Sequence, residues 1–332
     1  MLASMLASGR VLLADGATGT NLFERGLTSG DSPELWNDIH PDRITQLHHE
    51  FVAAGADIIL TNSFGANRRR LMLHQLEERT RELNRLAVRN ARAATVGAGR
   101  PVIVAGSVGP TGDLLAPLGP LTEGEAVTVF VEQIEGLKEG GADVVWIETM
   151  SAIEEIRAAA RAAAICAMPY AVTASFDTAG RTMMGILPGR LIEFATALDP
   201  APLAVGANCG VGATDLVASV LALSAAVPDA VVIAKANCGI PQIKGGSVVY
   251  SGSPKLMADY VQLALDAGVR IVGGCCGTSA VHLAAMRRAL DSYVPGPRPD
   301  RATIEQKLGA LVAPPRDAAT AGEPRVRRRA RG

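Results

Sequence analysis

The sequence predicts a (β/α)8 barrel followed by a short tail, and three observations lead there. Eight apolar, β-branched runs alternate strictly with eight Ala- and Leu-rich stretches of helical period. Such alternation requires parallel strands joined by crossover helices, and a count of eight favours closure over an open doubly wound sheet. Hydrophobic residues make up 48% of the 332 and aromatics only 4%. The core must therefore be built from Ala, Val, Leu and Ile, as in close-packed parallel sheets.

In chain order, strands are expected at residues 11–14, 57–61, 102–105, 144–147, 170–174, 203–207, 231–234 and 271–273. Helices are expected at 41–54, 68–94, 122–140, 153–167, 188–198, 213–226, 254–267 and 279–292. The phrases Gly55-Ala56-Asp57-Ile58-Ile59, Gly141-Ala142-Asp143-Val144-Val145 and Gly268-Val269-Arg270-Ile271-Val272 each read as a helix-ending glycine and a short turn into a buried strand. Trp146 shares the parity of Glu148 one layer deeper and is expected in core packing. The barrel is thus placed at 1–293. Beyond Tyr293 the composition turns to Pro, Arg and Ala, read as a largely disordered tail over 294–332 with one or two helical turns around 304–311.

In a barrel of this kind reactive groups sit at the C-terminal strand ends and in the loops that follow. Those ends carry Asp15-Gly16-Ala17-Thr18-Gly19-Thr20, Thr61-Asn62-Ser63-Phe64, Gly106-Ser107-Val108-Gly109-Pro110 and Glu148-Thr149. The remaining four carry Ser175-Phe176-Asp177, Asn208-Cys209-Gly210, Asn237-Cys238-Gly239 and Cys275-Cys276. Four of the five cysteines converge on one rim, which leaves Cys166, in a helix, as structural. Successive side chains of a regular strand point to opposite faces, so Cys275 and Cys276 share a target only where the strand ends and the backbone turns. Gly274 and Gly277 permit that turn. One further cysteine, Cys209 or Cys238, would make a three-sulfur site, and zinc held by three protein ligands keeps its fourth position open for chemistry. The competing reading is core filling by small, buried thiols in a glycine-rich bend.

The Asp15–Thr20 loop lacks the Gly-Lys-Ser/Thr ending of a phosphate cradle and the three-glycine dinucleotide spacing. It suits the close approach of backbone to a small zwitterion, with N–H groups for a carboxylate and Asp15 near an ammonium. Glu148 is the carboxylate at the mouth of the fourth strand. A net charge of -1 gives no pull toward nucleic acid or membrane, and no apolar run reaches the ~18 residues of a membrane helix. Residues 1–9 show no secretory pattern. Five irregularly spaced cysteines fit a reducing cytoplasm.

Asp-Gly-Ala-Thr-Gly-Thr in the first loop, Gly-Ala-Asn-Cys at 206–209 and Gly-Gly-Cys-Cys-Gly-Thr at 273–278 resemble the homocysteine S-methyltransferase family. That family includes betaine-homocysteine methyltransferase and the homocysteine domain of cobalamin-dependent methionine synthase. The resemblance spans roughly residues 9–290 and implies a TIM barrel with one zinc per chain, held by Cys209, Cys275 and Cys276. It implies methyl transfer to homocysteine, giving methionine, with Asp15, Gly16, Glu148 and Asn208 at the amino acid. Cys238 falls where relatives have no required cysteine. The donor expected is betaine, whose trimethylammonium aromatic rings hold by cation–π attraction. Gly65 and Thr149 stand where animal betaine enzymes have tyrosines, so Trp36, in the loop of 27–40, is the candidate to wall the donor. S-methylmethionine, or methylcobalamin carried by a corrinoid or folate partner protein, are the alternative donors, and a homo-oligomer is left open. The reading from another class is a non-catalytic barrel whose vicinal thiols sense redox state or metal.

Overall fold

The structure, a computed structural model, describes residues 1–177, 179–244 and 247–312. The basic run at 325–331 lies outside the described residues. Seven parallel strands come first: β1 Leu12–Leu13, β2 Ile58–Leu60, β3 Ile103–Val108, β4 Val144–Met150, β5 Tyr170–Ala174, β6 Val205–Cys209 and β7 Val232–Ala236. An antiparallel hairpin, β8 Pro241–Lys244 and β9 Ser247–Tyr250, follows β7, and the eighth barrel strand is β10 Val269–Gly274. The sheet runs β1-β10-β7-β6-β5-β4-β3-β2. A parallel bridge between Ala14 and Ile58 joins its two ends, with Asp57 N donating to Leu13 O at 2.7 Å and Asp15 N to Ile58 O at 2.9 Å. The expected closure into a (β/α)8 barrel is thereby met.

Both faces of these strands are buried, which is why they read as continuous apolar runs and not as alternating ones. The inner face packs Leu12, Ile58, Ile103, Val144, Trp146, Ala171, Ile233 and Ile271 into one core, and Trp146 takes the packing role expected of it. The helix α1, Leu2–Ala7, adds Leu2 and Leu6 to that inner core and closes the N-terminal end of the barrel. Arg270 fixes it there by donating to Leu6 O at 2.9 Å. The sequence reading assigned no element to this stretch.

Helices α2 Thr18–Glu24, α3 Trp36–Ile39 and α4 Pro41–Ala53 connect β1 to β2. The helix expected over 68–94 is broken: α5 spans only Arg68–Leu71, Gln75 is left-handed at φ 58°, and α6 restarts at Thr80–Thr95. Every residue between tolerates a helix, so propensity runs on, but Leu71 at one end and Thr80 and Leu83 at the other are buried around different axes. The remaining connections are α7 Glu123–Gly140, α8 Ile153–Ile165, α9 Pro188–Thr196, α10 Ala213–Ala226, α11 Pro254–Asp266 and α12 Ala280–Asp291. Thr122 and Glu125 form a reciprocal capping box at the start of α7, and left-handed Gly141 ends it. The described part of the expected tail is ordered. Asp300 caps α13, Arg301–Leu308, whose Ile304 and Leu308 are buried against the barrel's helices, and Asp215 accepts Val312 N at 3.0 Å.

Candidate metal centre and substrate site

The end of β10 makes the turn that two adjacent thiols need. Thr278 N donates back to Cys275 O at 3.0 Å, and Gly277 takes φ +79°. Gly274 is required for a different reason, since a Cβ there would collide with the Thr278 side chain. Cys275 N bonds Ala236 O at 2.6 Å and Cys276 N bonds Asn237 Oδ1 at 3.0 Å, so the end of β7 holds the vicinal pair in place.

Cys209, at the tip of β6, completes the cluster. The sulfurs of Cys209, Cys275 and Cys276 all lie within 4.8 Å of one another, with Cys209 and Cys276 at 3.9 Å. Tetrahedral ligands at the usual zinc–sulfur distance stand about 3.8 Å apart, so three sulfurs at this spacing fit a zinc ion. Cys238 is not in the group: its buried thiol turns toward Gly252 O at 3.4 Å. Cys166 is buried beside α8, outside the cluster.

Two residues of the rim hold a backbone conformation that L side chains rarely adopt. Thr149 has φ 61° and Cys209 has φ 62°, and for a β-branched threonine this is strained. Asn208 pins both. Its Oδ1 accepts from Thr149 N at 2.9 Å and Thr173 Oγ1 at 2.7 Å, and its Nδ2 donates to Thr149 Oγ1 at 2.7 Å and lies 4.0 Å from Cys275 Sγ. Asn208, expected at the amino acid, is thus fully buried and ties the ends of β4, β5 and β6 together.

The other expected residues fall as follows. Glu148, 8% exposed, accepts from Ser107 Oγ at 2.5 Å, and burial pushes its carboxyl above the usual range. Asp15 is fully buried; one oxygen accepts Leu60 N at 2.7 Å and the other the Lys235 ammonium at 2.6 Å. Gly16 packs against Thr278 and the Phe51 ring, where a Cβ would overlap both. Trp36 is a correction: 4% exposed, it packs into the outer core with the Arg43 guanidinium 5.1 Å from its ring centroid and His40 on its edge. The fold of the 27–40 loop spends this indole on packing, so it offers no free face to a solute.

Two residues at the site were missed by sequence reasoning. Tyr250, at the end of the hairpin, donates its hydroxyl to Cys276, and nothing in the local sequence marked a hairpin there. Lys235 stands on β7 with 2% exposure; a lone lysine in the run Val-Val-Ile-Ala-Lys-Ala was the available signal.

A profile of the family described as homocysteine S-methyltransferase matches residues 12–290. The chain belongs to that family. Homocysteine S-methyltransferase family relatives include methionine synthase of Mycobacterium tuberculosis, 29% identical over 313 residues, covering 89% of this chain and 25% of the relative. Methionine synthase of Mycobacterium leprae is 30% identical, covering 86% and 25%. The chain therefore spans about a quarter of the length of these relatives. The metallated form of the homocysteine methyltransferase MmuM from Escherichia coli superposes with TM-score 0.73 at 25% identity, covering 86% of this chain and 99% of that one. Its oxidized form gives TM-score 0.70 at 26% identity. Family membership places the chain among methyltransferases.

The thiols hold their protons in the absence of a cation. In Cys209 the hydrogen bond with Cys275 lowers the pKa, but the one with Cys276 and burial outweigh it and push it up to about 12. In Cys276 the bond with Cys209 lowers and the bond with and charge of Cys275 raise, again to about 12. Cys275 is raised by its bond with Cys209 and by burial. These groups are protonated at neutral pH, and a coordinated thiol is deprotonated. Zinc uptake at pH 7 should therefore release about three protons per ion, with affinity rising with pH and weakening as pH falls. Calorimetry in buffers of differing ionisation enthalpy reads this number; release of one proton or none would mean the three thiols do not all bind.

Proposed function

We propose that the chain transfers a methyl group from a small onium donor, in the first instance betaine, to the sulfur of homocysteine, leaving methionine. One zinc per chain would be held by Cys209, Cys275 and Cys276. The observation that carries this reading is the trio of sulfurs at coordination spacing on the C-terminal rim of the barrel. A zinc ion held by these three cysteines would supply the charge that ionises a substrate thiol at neutral pH. The protein's own groups do the rest. Asn208 and Asn237 fix the backbone around the cysteines, Tyr250 hydrogen-bonds Cys276, and Glu148 presents a carboxylate for the substrate ammonium. Orientation of the sulfur toward the donor methyl then supplies most of the acceleration.

The match over 99% of the E. coli homocysteine methyltransferase supports homocysteine as the methyl acceptor. A second reading rests on the methionine synthase relatives: the chain activates homocysteine for a methylcobalamin carried by a partner protein. The non-catalytic sensor is the reading of another class. The test is the purified, zinc-loaded chain with homocysteine and, in separate reactions, betaine, S-methylmethionine or methylcobalamin, with methionine as readout. Methionine from betaine is expected. Methionine from S-methylmethionine or methylcobalamin alone would move the donor, and none from any donor, without homocysteine binding, would leave the sensor.

A further inference from the structure

Each sulfur of the trio faces an uncharged hydrogen-bond donor from outside it. The amide of Asn237 meets Cys209, Nδ2 of Asn208 stands 4.0 Å from Cys275 Sγ, and the phenol of Tyr250 meets Cys276. The two amides also serve other acceptors, Gly210 O at 2.7 Å for Asn237 and Thr149 Oγ1 at 2.7 Å for Asn208. Tyr250 has a single O–H, and it goes to the sulfur. The fold holds this ring at the centre. Tyr250 ends β9, paired with Pro241 across the hairpin. A Cβ on Gly277 would fall on the Tyr250 ring, so the residue after Cys276 has a second reason to be glycine besides its φ of +79°. The chain beyond Tyr250 is tied to the end of β7, since Gly252 N donates to Cys238 O at 3.0 Å and the Cys238 thiol to Gly252 O at 3.4 Å. Cys238, outside the trio, thereby fastens the segment from which Tyr250 reaches in.

Resting on the function proposed above, we infer that Tyr250 is a positioning residue of the metal centre. Its hydroxyl draws charge from the Cys276 sulfur and so sets how strongly the centre polarises a thiol that joins it. Three thiolates outweigh the charge of a divalent cation, and a fourth sulfur adds to the excess. A neutral donor on one of the three relieves that excess without competing for the metal, and partners of this outer kind tune both affinity and the acidity of bound groups. A phenol suits the task because its proton, with an ordinary pKa of about 10, stays on the oxygen at neutral pH.

The experiment compares the wild-type full chain with Tyr250→Phe, which keeps a ring on Gly277 and removes the hydroxyl. Both are loaded with Co(II) in place of zinc, and the sulfur-to-cobalt charge-transfer absorption is recorded without substrate. Loss of the hydrogen bond leaves the Cys276 sulfur a richer donor, so the band should move to longer wavelength, with zinc affinity lowered about 10-fold. The wild-type chain made with 3-fluorotyrosine, a more acidic phenol and a stronger donor, should move the band the other way. That probe tests the contact without removing it, because the hydroxyls of Tyr170, Tyr260 and Tyr293 are engaged elsewhere, on Pro200, Ala234 and Asp266. Calorimetry on the zinc-loaded proteins at pH 7 should show homocysteine bound about 10-fold more weakly by Tyr250→Phe, while methionine, which has no thiol to ionise, binds both equally. A band unmoved by either change overturns the inference. So does an equal loss for homocysteine and methionine, since the hydroxyl would then shape the pocket and not the sulfur. If wild-type protein binds no homocysteine, the proposed function fails, and the substrate-free band still decides whether Tyr250 tunes the centre.

Discussion

Alanine at Cys209, Cys275 or Cys276 is expected to abolish stoichiometric zinc binding, whereas alanine at Cys238 or Cys166 leaves one zinc per chain. The three sulfurs stand within 4.8 Å of one another, so each removal leaves two thiolates where an open zinc site uses three protein ligands. Replacing outer-sphere partners of a metal site typically costs about 10- to 100-fold in affinity; losing a ligand outright should exceed that. Competition against a chromophoric chelator reads the affinity directly. A Cys275→Ala protein that still carries one zinc at unchanged affinity would remove the basis of the assignment. The Cys238→Ala control is informative because that thiol is adjacent in the fold, with its N–H on Cys276 O at 2.8 Å, yet turned away.

The second large effect is on stability. Lys235 and Asp15 are 2% and 0% exposed and 2.6 Å apart. Burial pushes the Asp15 carboxyl up, with Lys235 opposing; burial pulls the lysine down, but Asp15 and Glu148 more than offset it and hold it above its ordinary value. Breaking such a pair from one side strands a charge at a cost of about 3–5 kcal/mol. Asp15→Asn and Lys235→Met should each lose about that much in chemical denaturation. The double variant should recover much of it, since neither member of the pair is then left charged alone and the asparagine can still accept Leu60 N. Single variants within about 1 kcal/mol of wild type would show that solvent reaches the pair.

Strand positions were legible because both faces of each barrel strand are buried, which leaves an uninterrupted Val, Ile, Leu and Ala run with nothing else to explain it. Their ends were less so. β4 continues to Met150 through an irregular register between Ile147 and Met150, and the residue that bends it, Thr149, is a β-branched side chain at positive φ. Propensity would not place it there; the hydrogen bonds of Asn208 do. The cysteines were legible as motifs; Ala-Asn-Cys-Gly occurs at both Cys209 and Cys238, so the choice of Cys209 came from the family resemblance, and the fold adds that the Cys238 thiol turns to Gly252 O. Trp36 misled for a general reason: an aromatic residue in a rim loop can equally be the anchor that fastens the loop down. Lys235 went unread because its partner lies 220 positions away, across a gap that exists only once Gly273 has been seated beside it.

The helix α1 seals the far end of a barrel whose interior is already packed. Leu2 and Leu6 fill the far end, so whatever reaches the sulfur cluster enters and leaves by the same mouth. On the proposed reaction, both substrates would come in, and both products go out, through that one mouth.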